Sequence, residues 1–238
     1  MSLAKQFNTR PLYQQVADEF ISRIVSRQWA PGQSIENEAD LARSLGISLG
    51  TVRKAFDILS EHRLLDRQQG RGTTVADLDS ASANGRFSNI RDLQGRRIRG
   101  DVEVGAVSLA LPTPRVAAAL GVNGRTPLVR FERQRFHHGR CFMVEEVHLR
   151  ADASAHNASP QDLRRIALER WQGQDLATRK CETVGAAPAE ERDVAIFGIG
   201  RMGAVLTLER VIYSYQERPL ELRIARCHLG DDLTYGAT

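Results

Sequence analysis

From Leu12 onward, Val16, Phe20, Ile21, Ile24 and Val25 recur at helical spacing, which predicts an amphipathic helix over 12–27. Pro11 stands at its start, and Ala30-Pro31-Gly32-Gln33 turns the chain. A second helix is expected over 38–45, with Ala39, Leu41, Ala42 and Leu45 near one face and Gly46 as its stop. Ser48 then offers a side-chain oxygen to the first turn of a third helix, whose Val52, Ala55, Phe56 and Leu59 repeat at 3, 4 and 7. That face is buried, so Leu49, Gly50, Thr51, Arg53 and Lys54 point outward or along the rim. Leu64 to Arg67 and Thr73 to Val75 flank a glycine turn as two short strands. Helix, tight turn, helix and hairpin over residues 1–77 make the layout of a winged helix-turn-helix.

Asp77 to Gly85 is small, polar and aperiodic, so residues 78–85 are read as a linker and 86–238 as a second domain. A shift of 77 residues lays Leu120-Gly121-Val122 on Phe197-Gly198-Ile199 and Glu132-Arg133 on Glu209-Arg210. Each copy reads as a short helix stopped by glycine (114–120; 188–197), a strand (128–136; 205–213) and a return strand (142–149; 220–228). Between the copies, Ser159-Pro160 opens a helix running to about Trp171, Gly173 ends it, and a strand follows near 176–184. Hairpin-linked strands interrupted by helices predict an α+β domain with an antiparallel sheet, and a duplicated half-domain tends to close a site between its copies.

Composition narrows the chemistry. The net charge of +4 is not concentrated on the first domain, where residues 1–77 carry 10 Lys/Arg against 9 Asp/Glu. Bulk charge therefore does not by itself signal DNA. No apolar run is long enough for a membrane span, and Cys141, Cys181 and Cys227 suggest neither a disulfide framework nor a zinc site. A reducing cytoplasm is the expectation, with no metal or other cofactor. Gly46 to Gly50 satisfies G-x-S-x-G, but a helix rather than a strand precedes Ser48, so it is no nucleophile elbow. Gly198 to Gly203 satisfies G-x-G-x-x-G in the reverse of the dinucleotide-binding order. His137-His138 falls in a hairpin turn without a third ligand.

Two arrangements remain. The third helix is about the right width for a major groove, its N-terminal amides favour phosphate, and Arg53 and Lys54 can reach bases or backbone. A wing tip with Arg71 suits a minor groove. In the second domain Arg133 and Arg135 alternate along one strand and share a face, with Glu145 beside them on the return strand. Two guanidinia on one face form a fork for carboxylate or phosphate.

Pro11-Leu12-Tyr13, Ala30-Pro31-Gly32, Glu38 with Leu41-Ala42, Gly46-Ile47-Ser48, Thr51-Val52-Arg53-Lys54-Ala55 and Arg67 to Thr73 closely resemble the DNA-binding domain of GntR-type bacterial regulators. Glu132-Arg133-x-Arg135 with Glu145, and Glu209-Arg210 with Pro219-Leu220-Glu221, resemble the UTRA effector domain of the HutC branch. The resemblance implies a chorismate-lyase-like fold that binds a small molecule without turning it over, and no catalytic residues. It implies DNA contacts from Ser48, Thr51, Arg53, Lys54, Gly70, Arg71 and Gly72. For the ligand it implies Arg133, Arg135, Glu145, Arg179 and Glu221, with Ser88 and Asn89 near a loop that holds an anionic group. Leu49 replaces a common family arginine, Gly50 a Ser or Thr, Glu36-Asn37 a Pro-Ser pair, and Cys227 a frequent Tyr. A lost Arg-to-guanine pair removes about 1 to 3 kcal/mol of discrimination, so an unusual operator or weaker reading is expected.

The expected function is a sequence-specific DNA-binding regulator, a repressor and homodimer, whose hold on a double-stranded operator is modulated by a small anionic metabolite. The alternatives are a chorismate-lyase-like enzyme tethered to DNA, and a constitutive DNA-binding dimer with a degenerate pocket.

Overall fold

The computed structural model describes residues 10–68, 72–76, 87–150, 155, 157–168 and 176–236. The chain divides into two compact units, Met1–Ser80 and Ala81–Thr238. The expected linker, the wing-tip residues Gly70 and Arg71, and the helix end at Trp171 and Gly173 lie outside the described residues.

In the first unit, α1 (Leu12–Val25), α2 (Glu38–Leu45) and α3 (Leu49–Glu61) surround a core in which Phe20, Val52, Ala55, Phe56 and Leu59 are fully buried. Asn37 caps α2 by accepting the Asp40 amide at 2.9 Å, so the departure at Glu36-Asn37 keeps the capping function. Gly46 closes α2 at φ +65°, a left-handed conformation that glycine adopts without a Cβ penalty. Ala39 was expected on the inner face but is exposed, because it precedes Leu41 by two residues, a rotation of about 200° around the helix that turns it to solvent. β1 (Ser34–Ile35) joins β2 (Leu65–Gln68) and β3 (Gly72–Val75) in a sheet of order β1-β3-β2. β1 has no periodicity to betray it, since two residues are too few.

The second unit is built on a six-stranded antiparallel sheet. Its strands are β5 (Asp101–Ala110), β6 (Leu128–His137), β7 (Arg140–Leu149), β8 (Ala177–Pro188), β9 (Ala204–Ser214) and β10 (Pro219–Cys227), in the order β5-β6-β7-β10-β9-β8. A two-stranded sheet pairs β4 (Ile90–Asp92) with β11 (Leu233–Tyr235). The helices are α4 (Pro114–Leu120), α5 (Pro160–Leu168) and α6 (Glu191–Phe197). The second copy's helix starts later than expected, because Pro188 still belongs to β8.

The 77-residue repeat explains the palindromic strand order, and it extends to an edge strand that the pattern did not reveal. β5 stands to β6 as β8 stands to β9. The helices are exchanged between the copies. Val116 and Leu120 of α4 pack with Leu222 of β10, while Phe197 of α6 packs with Cys141 of β7. Arg115 of α4 pairs with Glu209 of β9, and Arg192 of α6 pairs with Glu132 of β6. Both pairs are the same contact repeated 77 positions later. On the opposite face, Ile90 and Leu233 pack over Met143, Leu208 and Ala225, and Leu163 and Ala167 of α5 pack over Phe131 and Val147.

Candidate functional site

Between those two coverings, the same sheet face carries a buried layer of charge. Strand pairing sets Arg133 opposite Glu145, Glu145 opposite Ala225, and Arg210 opposite both Arg223 and Glu182. Alternation then places Arg133, Arg135, Glu145, Glu221, Arg223, Arg210 and Glu182 on one side. Arg133 Nε and Arg135 Nε both donate to the same Glu145 oxygen, Oε2, at 2.5 and 2.7 Å. Arg135 Nη1 also donates to the Arg99 carbonyl at 2.9 Å, and Arg223 Nε donates to Glu221 Oε1 at 2.6 Å. The Glu145 side chain is 1% exposed and that of Arg133 3%.

Burial opposes every charge in this layer, so the partners decide protonation. Burial works against the Glu145 carboxylate, yet Arg133, Arg135 and Arg223 outweigh it and hold its pKa well below the usual range. Burial likewise opposes the Arg133 charge, and the Glu145 and Glu221 carboxylates more than offset it. Arg135 is held less well. Burial, with Arg133 and Arg210 as cationic neighbours, pushes its pKa down to about 10. Among the described residues the layer sets four arginines against three glutamates, and Arg133 Nη2 is buried with no hydrogen-bond partner. That combination favours an added anion.

Asn89 donates to Glu182 Oε1 at 3.2 Å and to the Tyr235 hydroxyl at 3.1 Å, and Tyr235 and Arg210 both hydrogen-bond to Glu182. Ser88 is also buried, but its hydroxyl donates to the Ile98 carbonyl at 3.0 Å and accepts the Ile90 amide at 3.2 Å. Cys227 lies opposite Met143, fully buried, and burial pushes its thiol pKa up. It forms a small apolar wall to the layer.

In the first unit, Ser48 Oγ caps α3 by accepting the Thr51 amide at 3.1 Å and lies 2.8 Å from Thr51 Oγ1. Arg53 is exposed and its Nε donates to Glu38 Oε2 at 2.9 Å. Arg67 reaches the other Glu38 oxygen at 3.4 Å and Asp57 at 2.7 Å. Lys54 Nζ sits 5.4 Å above the Tyr13 ring, and Gly72 opens β3 at φ +87°. Ile35, Asn37, Glu38, Leu49, Arg53 and Thr73 line one shallow groove between the two helices and the wing.

Two family models match the chain: bacterial regulatory proteins of the gntR family over residues 12–75, and the UTRA domain over residues 95–231. This chain belongs to the GntR family and carries a UTRA domain. The HTH-type transcriptional repressor NagR of Bacillus subtilis is 26% identical over 216 residues, covering 90% of this chain and 88% of NagR. The histidine utilization repressor of Pseudomonas aeruginosa is 34% identical over 113 residues, 47% of this chain and 45% of that protein, so that match spans less than half of it. The ligand-binding domain of a GntR-family regulator from Bordetella bronchiseptica is 17% identical, covers 64% of this chain and 97% of that one, and superposes with a TM-score of 0.51, a likeness of fold. GntR proteins are regulators, so the tethered-enzyme alternative falls away.

Of the residues expected at the UTRA ligand site, the fold brings Arg133, Arg135, Glu145 and Glu221 into one layer, with Asn89 touching its Glu182 end. Arg179 is not among them. It turns to the opposite face of β8 from Lys180 and Glu182, pairs with Glu217 and lies 4.2 Å over the Tyr213 ring. The period-2 alternation of a strand makes this unavoidable once Glu182 faces inward. Sequence reasoning missed Arg210, Arg223, Glu182 and Tyr235. The repeat did pair Glu209-Arg210 with Glu132-Arg133, which was a signal for Arg210. No spacing points to Tyr235, which arrives through β11.

Proposed function

We propose that this chain is a transcriptional repressor acting as a cytoplasmic homodimer, and that a small anionic effector in the arginine layer sets its hold on a double-stranded operator. One observation carries the effector reading: a fork of Arg133 and Arg135 converges on a single glutamate oxygen, with a buried Arg133 amino group left over. A ligand carboxylate or phosphate supplies the missing acceptor and the missing negative charge. Such a ligand changes operator affinity only by binding the DNA-competent and DNA-incompetent states unequally. The names of NagR and the histidine utilization repressor support the sign of regulation.

The test is a thermal-shift screen against phosphorylated sugars, amino-acid catabolites and small aromatic acids, repeated with Arg133→Ala. A ligand at 100 times its dissociation constant adds about 2.7 kcal/mol. The expected outcome is a compound that raises the melting temperature of the wild type, leaves Arg133→Ala unmoved and weakens operator binding. A compound that stabilises both proteins equally binds elsewhere and refutes the assignment.

On the DNA side, Ser48, Thr51, Arg53, Lys54 and the wing residues Gly70, Arg71 and Gly72 form the contact surface in this reading. Glu38 tethers Arg53 by Nε and leaves both outer amino groups for a guanine edge or phosphate. Glu38→Gln is expected to change stability by less than about 1 kcal/mol, since the pair is exposed. Discrimination between the operator and a single-base variant should nevertheless fall about tenfold, which corresponds to about 1.4 kcal/mol. Unaltered discrimination in a base-by-base binding assay would remove Glu38 from DNA reading.

A further inference from the structure

The first turn of α3 presents an apolar side chain and then a bare backbone. Leu49 is the first residue of the helix after its Ser48 cap, and it is half-buried. At about 100° per residue it projects between Phe56, which is buried, and Arg53, which is exposed. It lines the shallow groove with Ile35, Glu38, Arg53 and Thr73, so one side of its isobutyl group is held and the other is open. Gly50 follows with an ordinary helical backbone, exposed, and a Cβ there would meet only Ser48 Oγ, at 3.9 Å. Neither its conformation nor the space around it inside the protein calls for glycine, which weakens a helix relative to alanine. What glycine gives this position is close approach by something outside.

The same groove is lined by Glu36 and Glu38. Glu38 is engaged by Arg53 and Arg67, and Glu36 is exposed. Carboxylates at this point disfavour a phosphate and leave an uncharged base edge as the matching occupant. Leu49 has no donor or acceptor, so the feature of a base edge that it can recognise is the thymine 5-methyl, the apolar group of the major groove. We propose that Leu49 is a specificity-determining residue that packs on the 5-methyl of a thymine, with Gly50 letting the helix tip seat that close. The proposal rests on the DNA-binding reading above and adds a base contact to it. Leu49 and Arg53 stand one turn apart on the same side of α3, with Cβ atoms about 5–6 Å from each other. The thymine therefore lies within about two base steps of the pair that Arg53 reaches.

The test uses the full-length chain and the duplexes it enriches from a random pool. Each thymine of the enriched site is replaced singly by deoxyuridine, which removes only the methyl group. One thymine in each half-site is expected to weaken wild-type binding about fourfold when replaced, equivalent to about 0.8 kcal/mol. In Leu49→Ala the same replacement should change affinity by less than about 1.5-fold, while binding to an unrelated duplex stays at the wild-type level. Leu49→Arg should prefer guanine to thymine at that pair by about tenfold, a result that does not depend on Leu49→Ala folding. An enriched site in which no thymine methyl matters to the wild type, or matters equally to Leu49→Ala, overturns the assignment and leaves the DNA-binding reading standing. Unchanged thymine preference in Leu49→Arg does the same. A pool with no enriched site overturns both.

Discussion

Glu145→Ala is expected to destabilise the UTRA domain by about 3–5 kcal/mol, the cost of leaving buried cations without their counter-charge. Two guanidinium Nε groups converge on one oxygen of this residue, and Arg223 adds to its field. At about 2–4 °C per kcal/mol for a domain of this size, the melting temperature should fall by about 10 °C. Removing the half-exposed partner of a neighbouring pair, Arg130 with Glu146, should cost about 1 kcal/mol or less. The same residue shapes the acid limb. Its pKa is depressed in the folded state, so its contribution is complete above the unfolded carboxyl value near ~4.3 and is lost as pH falls through the folded value. Wild-type stability should therefore drop more steeply below about pH 4 than that of Glu145→Ala. Thermal unfolding of both proteins between neutral and acid pH measures the two effects. A loss under about 1 kcal/mol with parallel acid limbs would mean that the layer is hydrated and its charges are not buried against one another.

Phe56→Ala is expected to unfold the winged domain and abolish operator binding. Phe56 is fully buried, meets Phe20 edge-on at 5.6 Å, and Phe20 in turn contacts Trp29 at 5.0 Å. Truncating a buried phenylalanine costs about 3–5 kcal/mol. A unit of this size holds only about 3–10 kcal/mol in total, so the loss consumes most of its stability. The arginine layer has its own core, around Phe131 and Val147 on one side and Met143 and Ala225 on the other. Effector-induced stabilisation should therefore persist in Phe56→Ala while operator binding is lost, read by differential calorimetry and a DNA-binding assay. Normal operator affinity in this variant would show that the aromatic cluster is not what holds α1 against α3.

The regular parts of the chain were legible because each repeats at a fixed period. α2 and α4 carry their bounds in their caps, Asn37 and Gly46 for one, Thr113 and Gly121 for the other. The paired strands β6 and β7 declared themselves by length and by the turn at His138-Gly139. β5 stayed hidden although it alternates, because Gly105 breaks the run at the bulge. β4 and β11 are three residues each and pair across more than a hundred positions, so no local window contains both.

Within the proposed ligand site, sequence alone determined that Arg133 and Arg135 share a face, that Glu145 lies beside them and that Arg210 repeats Arg133. Those facts follow from strand alternation, a hairpin and a duplication, all local or periodic. Only the tertiary structure decided that Glu145 closes the fork, that Arg223 and Glu221 come from the central strand to complete the layer, and that Arg179 is turned away. Those outcomes depend on which strands become neighbours and in what register. A one-residue change of register sends a side chain to the opposite face of the sheet, and no local pattern fixes that choice between strands distant in the chain.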